Sequence, residues 1–312
     1  MSILAQRLKN QREGCESFFE INRKSNYEPK MRLEIQCYYI KLNDLGVFMV
    51  RDLAKYLAEM ITQYVHTLAD FVNANNNPRV FQKLSLAATK FINSACDKGE
   101  TGQLILWMLL EGVLGVPKVL TKEKTSLNQY NFGSDGIHAY LDPTTKQLII
   151  YIGESKLREN INNSINSVIT SFDNYIAGNN GKISFDQDVY LLDKQAIQDV
   201  CSSELLDALN EFARPGSIIR STTLYYFCVF TGYNSTLIRE ITNLLKNEGI
   251  DSAKKYLSNH FNEEVDSVFA TITKSVSKHK FIRNLRLIWF AIPFEDVNTF
   301  VEYLKQEVTG AC

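Results

Sequence analysis

The sequence predicts an α/β protein: a central mixed sheet flanked by helices, with an α+β extension on its N-terminal side. Three observations carry that prediction. Leu148, Ile149, Ile150, Tyr151 and Ile152 form an unbroken apolar run, the pattern of a central strand covered on both faces. Two later runs, TTLYYFCVF (222–230) and RLIWFAIPF (286–294), have the aromatic and β-branched content of further buried strands. Around them, apolar residues recur at helical spacing.

Taken in order, the first regular elements are strands at RLEIQCYYI (32–40), which alternates, and GVFMV (46–50). From Arg51 the period changes: Leu53, Leu57, Met60, Ile61, Tyr64, Val65 and Leu68 predict a long amphipathic helix to about Val72. The Asn-rich tract NANNNPR (73–79) is a turn, and a second helix follows over 79–95. Gly99 breaks that helix, LILWMLLE is a mostly buried one, and Gly112, Gly115 and Pro117 end it. Strands follow at Val119–Leu120, 136–142 and 147–157, the last two joined by a DPTTK hairpin turn. A helix from Asn160 presents Ile161, Ile165, Val168, Ile169 and Phe172 on one face, and GNNGK (178–182) is a loop. Helices at 235–248, 251–278 and 295–308 complete the chain. The organisation expected is an N-terminal α+β region over 1–95, for partner docking or regulation, and a catalytic domain over 96–312.

Bulk properties narrow the function. The 312 residues, 45% hydrophobic and 22% charged, can bury a sizeable core, which excludes a disordered chain. A net charge of −1 means that any polyanion must bind a local basic patch. The six cysteines are far apart with no CxxC pair, and the N-terminus lacks the apolar stretch of a secretory signal, so reduced thiols in the cytoplasm are expected. Runs such as LILWMLL are too short to span a bilayer, so no membrane association is expected.

The chemistry concentrates in FGSDGIHAYLDPTTKQLIIYIGESKL. Asp135 precedes one predicted strand; Glu154 and Lys156 end the next, spaced as Glu-x-Lys. Residues two apart on a strand share a face, so Glu154 and Lys156 project together, and the hairpin brings Asp135 beside them. Two converging carboxylates are an oxygen site for a hard divalent cation. A neighbouring lysine can orient a water or offset phosphate charge, which suits phosphodiester hydrolysis. Singly, each has an ordinary explanation: Ser-Asp-Gly is good turn chemistry, and an acidic-basic pair is common on a solvated strand. It is the joint placement, within a helix, hairpin and helix, that points to a site.

Other polar residues carry less. His138 reads as a packing or hydrogen-bonding residue, since one histidine makes no zinc site. Lys118, Lys122 and Lys124, with Lys146 and Arg158 as weaker candidates, could meet a phosphate backbone, though charge runs are more often solvated surface. Ser164, Ser167 and Ser171 could line a phosphate path or simply form a helix's polar face.

The pattern resembles the PD-(D/E)xK nuclease superfamily over about residues 97–175, with Ser134-Asp135 in place of the Pro-Asp element. What the resemblance implies is a Mg2+-dependent nuclease (Mn2+ substituting), with catalytic Glu100, Asp135, Glu154 and Lys156 and with Asp135 and Glu154 on the metal. The superfamily often carries a glutamate on the helix before the hairpin, and Glu100 is the best match. Whether Glu100 or Gln103, one turn on, faces the metal stays open, and Glu111 at the far end is the weaker alternative. Glu100 also has an ordinary reading, an acidic residue favoured in a helix's first turn by the dipole.

Over most of the chain, the order GExG…LL, GSDGIH, GESKL, a Ser-rich helix and FAIPF resembles the HamA family, nuclease subunits of Hachiman anti-phage defence. That resemblance implies a bacterial cytoplasmic protein that cuts or nicks DNA together with a helicase subunit, HamB. The alternative from another class is a catalytically idle nuclease-fold scaffold that binds nucleic acid or a partner. Metal-dependent stabilisation through Asp135 and Glu154 separates the two.

Overall fold

A computed structural model describes residues 3–28, 30–66, 82, 98–120, 134–177, 202–214 and 216–310. Among them a single mixed sheet runs in the order β1-β2-β7-β6-β5-β4-β3. The strands are β1 (Phe19–Glu28), β2 (Leu33–Ile40), β3 (Lys118–Leu120), β4 (Gly136–Leu141), β5 (Leu148–Leu157), β6 (Leu224–Asn234) and β7 (Arg286–Phe294). The β2–β7, β7–β6 and β6–β5 pairs are parallel, while β1–β2, β5–β4 and β4–β3 are antiparallel. Helices are α1 (Ile3–Phe18), α2 (Val50–Val65), α3 (Lys98–Gly112), α4 (Ile161–Ala177), α5 (Ser203–Ala213), α6 (Ile218–Thr222), α7 (Thr236–Asn247), α8 (Ile250–Ser277) and α9 (Val297–Thr309).

The sheet has an apolar layer on each face, as its unbroken apolar strands require. On one face Leu148, Ile150 and Ile152 of β5 pack with Ile165, Val168 and Phe172 of α4 and with Phe261 and Val265 of α8. On the other, Leu157 joins Phe230, Phe290, Leu106 of α3, Leu57 of α2 and Phe300 of α9. Even-numbered residues of β5 therefore face α4, and odd-numbered ones face α3. The central mixed sheet with flanking helices and an N-terminal α+β extension is thus the predicted class, and the helix, hairpin and helix of a PD-(D/E)xK-like core are α3, β4–β5 and α4.

Several expectations need correction. Residues 46–50 are not a strand: a single bridge joins Leu42 to Phe48, Gly46 turns with φ +79°, and α2 begins at Val50. The segment closes a turn instead: the Asn43 side chain accepts from the Val47 amide at 2.9 Å, and the Met49 amide donates to the Lys41 carbonyl at 2.8 Å before the helix starts. Neither α1 nor β1 was evident in the sequence. In α1 the buried positions are Arg7, Gln11, Gly14 and Cys15: the period is helical, but the residues are mostly polar, so hydrophobicity does not display it. The predicted end of α2 beyond residue 66, the Asn-rich turn, most of the 79–95 helix, Lys122, Lys124 and GNNGK lie outside the described residues. Among the described residues no helix is long and apolar enough to cross a membrane.

Candidate active site

The antiparallel hairpin sets the site. Gly136 pairs with Gly153, and the Asp135 amide donates to the Gly153 carbonyl at 2.8 Å, so Asp135 lies beside the start of Glu154-Ser155-Lys156. Glu154 and Lys156 share a face, as their spacing predicts, and the Lys156 ammonium bonds the Glu154 carboxylate. Glu154 is 4% exposed, and on the α4 side the Ser171 hydroxyl also bonds it.

The Asp135 carboxylate turns to the other side of the strand end. Its Oδ2 accepts from the Ser155 amide and the Ser155 hydroxyl, both at 2.7 Å, and its Oδ1 accepts from Gln103 Nε2 on α3 at 2.6 Å. Ser155 reaches this position because α3 presents Gly102 to it: a Cβ there would stand 3.1 Å from Ser155 Oγ. The two carboxylates thus flank the end of β5, one in a nest of uncharged donors and the other against a lysine. They remain electrostatically coupled. Burial, and next the Asp135 charge, push the Glu154 carboxyl up to about 7, against the opposing pull of Lys156.

A cavity of about 550 Å³ opens at this strand end. Gln103, Asp135, Ser155, Lys156 and Arg158 line it, together with Lys98 and Glu159, which pair with each other at 3.0 Å. Glu154 does not line it, so the way to its carboxylate passes Lys156. Gln103 bonds Asp135, while Glu100 sits in the first turn of α3, near enough for its charge to act on Tyr64. Glu111 is remote from this cavity: it is wholly buried and paired with Arg7 at 2.7 Å.

Among the described residues no set of three or more His, Cys, Asp and Glu is gathered to hold a metal. Asp135 and Glu154 supply two oxygen-donor carboxylates, which fits a hard divalent cation that keeps most of its waters and takes one or two carboxylates from protein. Burial first and the Asp135 charge second raise Glu154, and a bound cation would offset that second contribution.

Other sequence expectations resolve differently. Lys118 is buried, 3% exposed, with its ammonium over the Tyr64 ring and bonded to the Tyr64 carbonyl, so it faces no phosphate. Lys146 pairs with Glu204 at 3.0 Å, away from the cavity. His138 is a hydrogen-bonding residue: its Nδ1 donates to the Val116 carbonyl at 2.8 Å, and burial pushes its pKa down to about 3. Ser155, Ser171 and Tyr64 were not singled out as partners of the carboxylates. For Ser155 a signal existed, its place between the two predicted site residues; for Tyr64 the sequence held none.

Compared with known families, the chain matches HamA over residues 16–308. A comparison with curated proteins finds no match.

Proposed function

The chain belongs to the HamA family, and on that premise we propose that it is a metal-dependent nuclease that hydrolyses DNA phosphodiester bonds in anti-phage defence. Membership implies a nuclease-like role in phage defence; the reaction, the metal and the residues are our reading. The observation that supports it most is the placing of two neighbouring carboxylates, Asp135 and Glu154, with Lys156 at the end of one strand, where a cavity opens.

In this reading Asp135 and Glu154 hold Mg2+, with Mn2+ able to substitute. When bound, that ion polarises the scissile phosphate and lowers the pKa of an attacking water. The protein's own groups do the remainder. Ser155 and Gln103 fix the orientation of Asp135 through three short hydrogen bonds, so the carboxylate needs no reorganisation when it engages a ligand. Lys156 holds the Glu154 carboxylate and, at the cavity wall, offsets charge on a phosphate oxygen or orients the water. Arg158, and Lys98 where it gives up its exposed pairing with Glu159, attract the polyanion locally, which a net charge of −1 cannot do globally. Glu100, in the first turn of α3, is the further acidic residue that the superfamily resemblance counts as catalytic. DNA and the helicase subunit HamB are the partners, and the bacterial cytoplasm is the location, that the family reading supports.

One observation favours the scaffold alternative: Gln103, an uncharged amide, stands against Asp135 where a third carboxylate would strengthen a metal site. Cleavage of plasmid and linear DNA by the purified protein, alone and with its helicase partner, in Mg2+ or EDTA, decides between them. Cutting that requires both the metal and Glu154 is expected. No cutting with partner and DNA present, and no Mg2+-dependent stabilisation, would leave the scaffold.

A further inference from the structure

We propose that Tyr64 and Gln103 form a positioning relay through which helix α2, from the N-terminal region, fixes the Asp135 carboxylate for its cation. The relay rests on the nuclease reading above and deepens it, because it assigns part of the active centre to a region whose sequence carries no catalytic motif.

The argument starts from donors and acceptors. Asp135 Oδ1 is an acceptor only, so the Gln103 amide must turn its Nε2 toward it, and the 2.6 Å contact shows that it does. That orientation leaves Gln103 Oε1 pointing away, where the Tyr64 hydroxyl donates to it at 3.3 Å. Hydroxyl, amide and carboxylate form one directed chain, and rotation of the amide would break both bonds at once. Burial, together with the charges of Asp135 and Glu100, pushes the Tyr64 phenol well above its ordinary pKa and keeps it a donor.

Tyr64 is itself held by groups that do not depend on Gln103. It is 4% exposed, its ring lies 5.4 Å from that of Trp107, and the Lys118 ammonium stands 4.3 Å over the ring while bonding the Tyr64 carbonyl. A rigid support of this kind is what the outer partners of a metal-binding carboxylate provide, and their loss lowers metal affinity.

The test is calorimetric titration of the full-length protein with Mn2+, run for wild type, Tyr64→Phe, Gln103→Ala and the double variant. Metal-free melting temperatures are measured alongside. Tyr64→Phe removes one oxygen and keeps the ring packing; it should weaken Mn2+ binding about threefold and lower the metal-free melting temperature by no more than about 2–4 °C, the cost of one lost hydrogen bond. Gln103→Ala should weaken binding on the order of tenfold. In that background Tyr64→Phe should add nothing, because its effect travels through the amide. Should Gln103→Ala unfold, Gln103→Asn replaces it in the cycle. Wild-type Mn2+ affinity in Tyr64→Phe, or an equal loss in both backgrounds, overturns the relay while the nuclease reading stands. A wild-type protein that binds no Mn2+, or a Glu154→Ala variant that binds it undiminished, overturns the nuclease reading and the relay with it.

Discussion

At the C-terminal end of α3, Glu111 is fully buried and meets Arg7 of α1 at 2.7 Å and the Lys118 amide at 3.1 Å. At the N-terminal end of the same helix, Gln103 and its neighbours surround Asp135 with uncharged donors, and Glu154 has one lysine for a partner. The first arrangement is closed. Gly112 lies so near α1 that a Cβ would stand 2.5 Å from the Gln11 carbonyl, and Glu111 itself is fully buried. The second is open to a 550 Å³ cavity and keeps two carboxylates that repel one another. One end uses its charges to join the N-terminal helix to the core; the other is the end at which we propose a cation is held. Burial alone does not set the two ends apart, because Glu111 is more buried than Glu154. What differs is whether the charge is balanced within the protein.

The contrast has consequences that can be measured. The largest concerns the open end: Glu154→Ala and Lys156→Ala should each lower DNA cleavage on the order of a thousandfold, with the fold kept by circular dichroism. Retained cutting would remove the functional half of the contrast. At the closed end, Glu111→Ala strands Arg7 and should cost about 3–5 kcal/mol in chemical denaturation. Arg7→Met combined with Glu111→Leu should recover most of it, since an apolar pair can replace a buried ion pair. A loss of cleavage per folded molecule in that double variant would show that the two ends are not separate.

A smaller effect has the opposite sign. The folded-state pKa of Glu154 is raised, so the unfolded chain gives up that proton first as pH rises. Glu154 therefore favours the fold fully below about pH 4.5, and the advantage is lost as pH rises to about 7. Glu154→Gln should then be about 1–2 kcal/mol more stable than wild type at pH 8 without metal, with the gap closing toward pH 4.5. A gap independent of pH would contradict the raised pKa. The smallest effect is at the rim: Lys98 and Glu159 form an exposed pair at 3.0 Å, so Lys98→Ala should change stability by under about 0.5 kcal/mol. The same change should weaken DNA binding and flatten its salt dependence.

Much of this molecule is legible in its sequence. Periodicity alone places β2, β4, β5, β7, α4 and α8 within a residue or two of their bounds, because each buries a continuous apolar face. The Glu-x-Lys spacing at the end of an apolar strand is enough to put Glu154 and Lys156 on one side, since strand geometry leaves no other choice. Other features depended on contacts distant in sequence. In α1 the buried face is polar and gains its reason only from Glu111, 104 residues from Arg7. The order β2-β7-β6-β5, which joins the N-terminal strands to the PD-(D/E)xK-like core, is fixed by parallel pairing that no local pattern encodes. The same holds for the direction in which Asp135 points. Its position in a turn follows from Ser-Asp-Gly, but the turn is followed by a glycine pair and leaves the side chain free to rotate. Its partner was chosen by Gln103 arriving from α3 and by Ser155 rising under Gly102, with Tyr64 holding the amide from α2. Sequence determined which groups stand at the strand end, because local geometry is set by neighbours; packing decided what each of them faces, because hydrogen bonds are directional and their partners come from the whole chain.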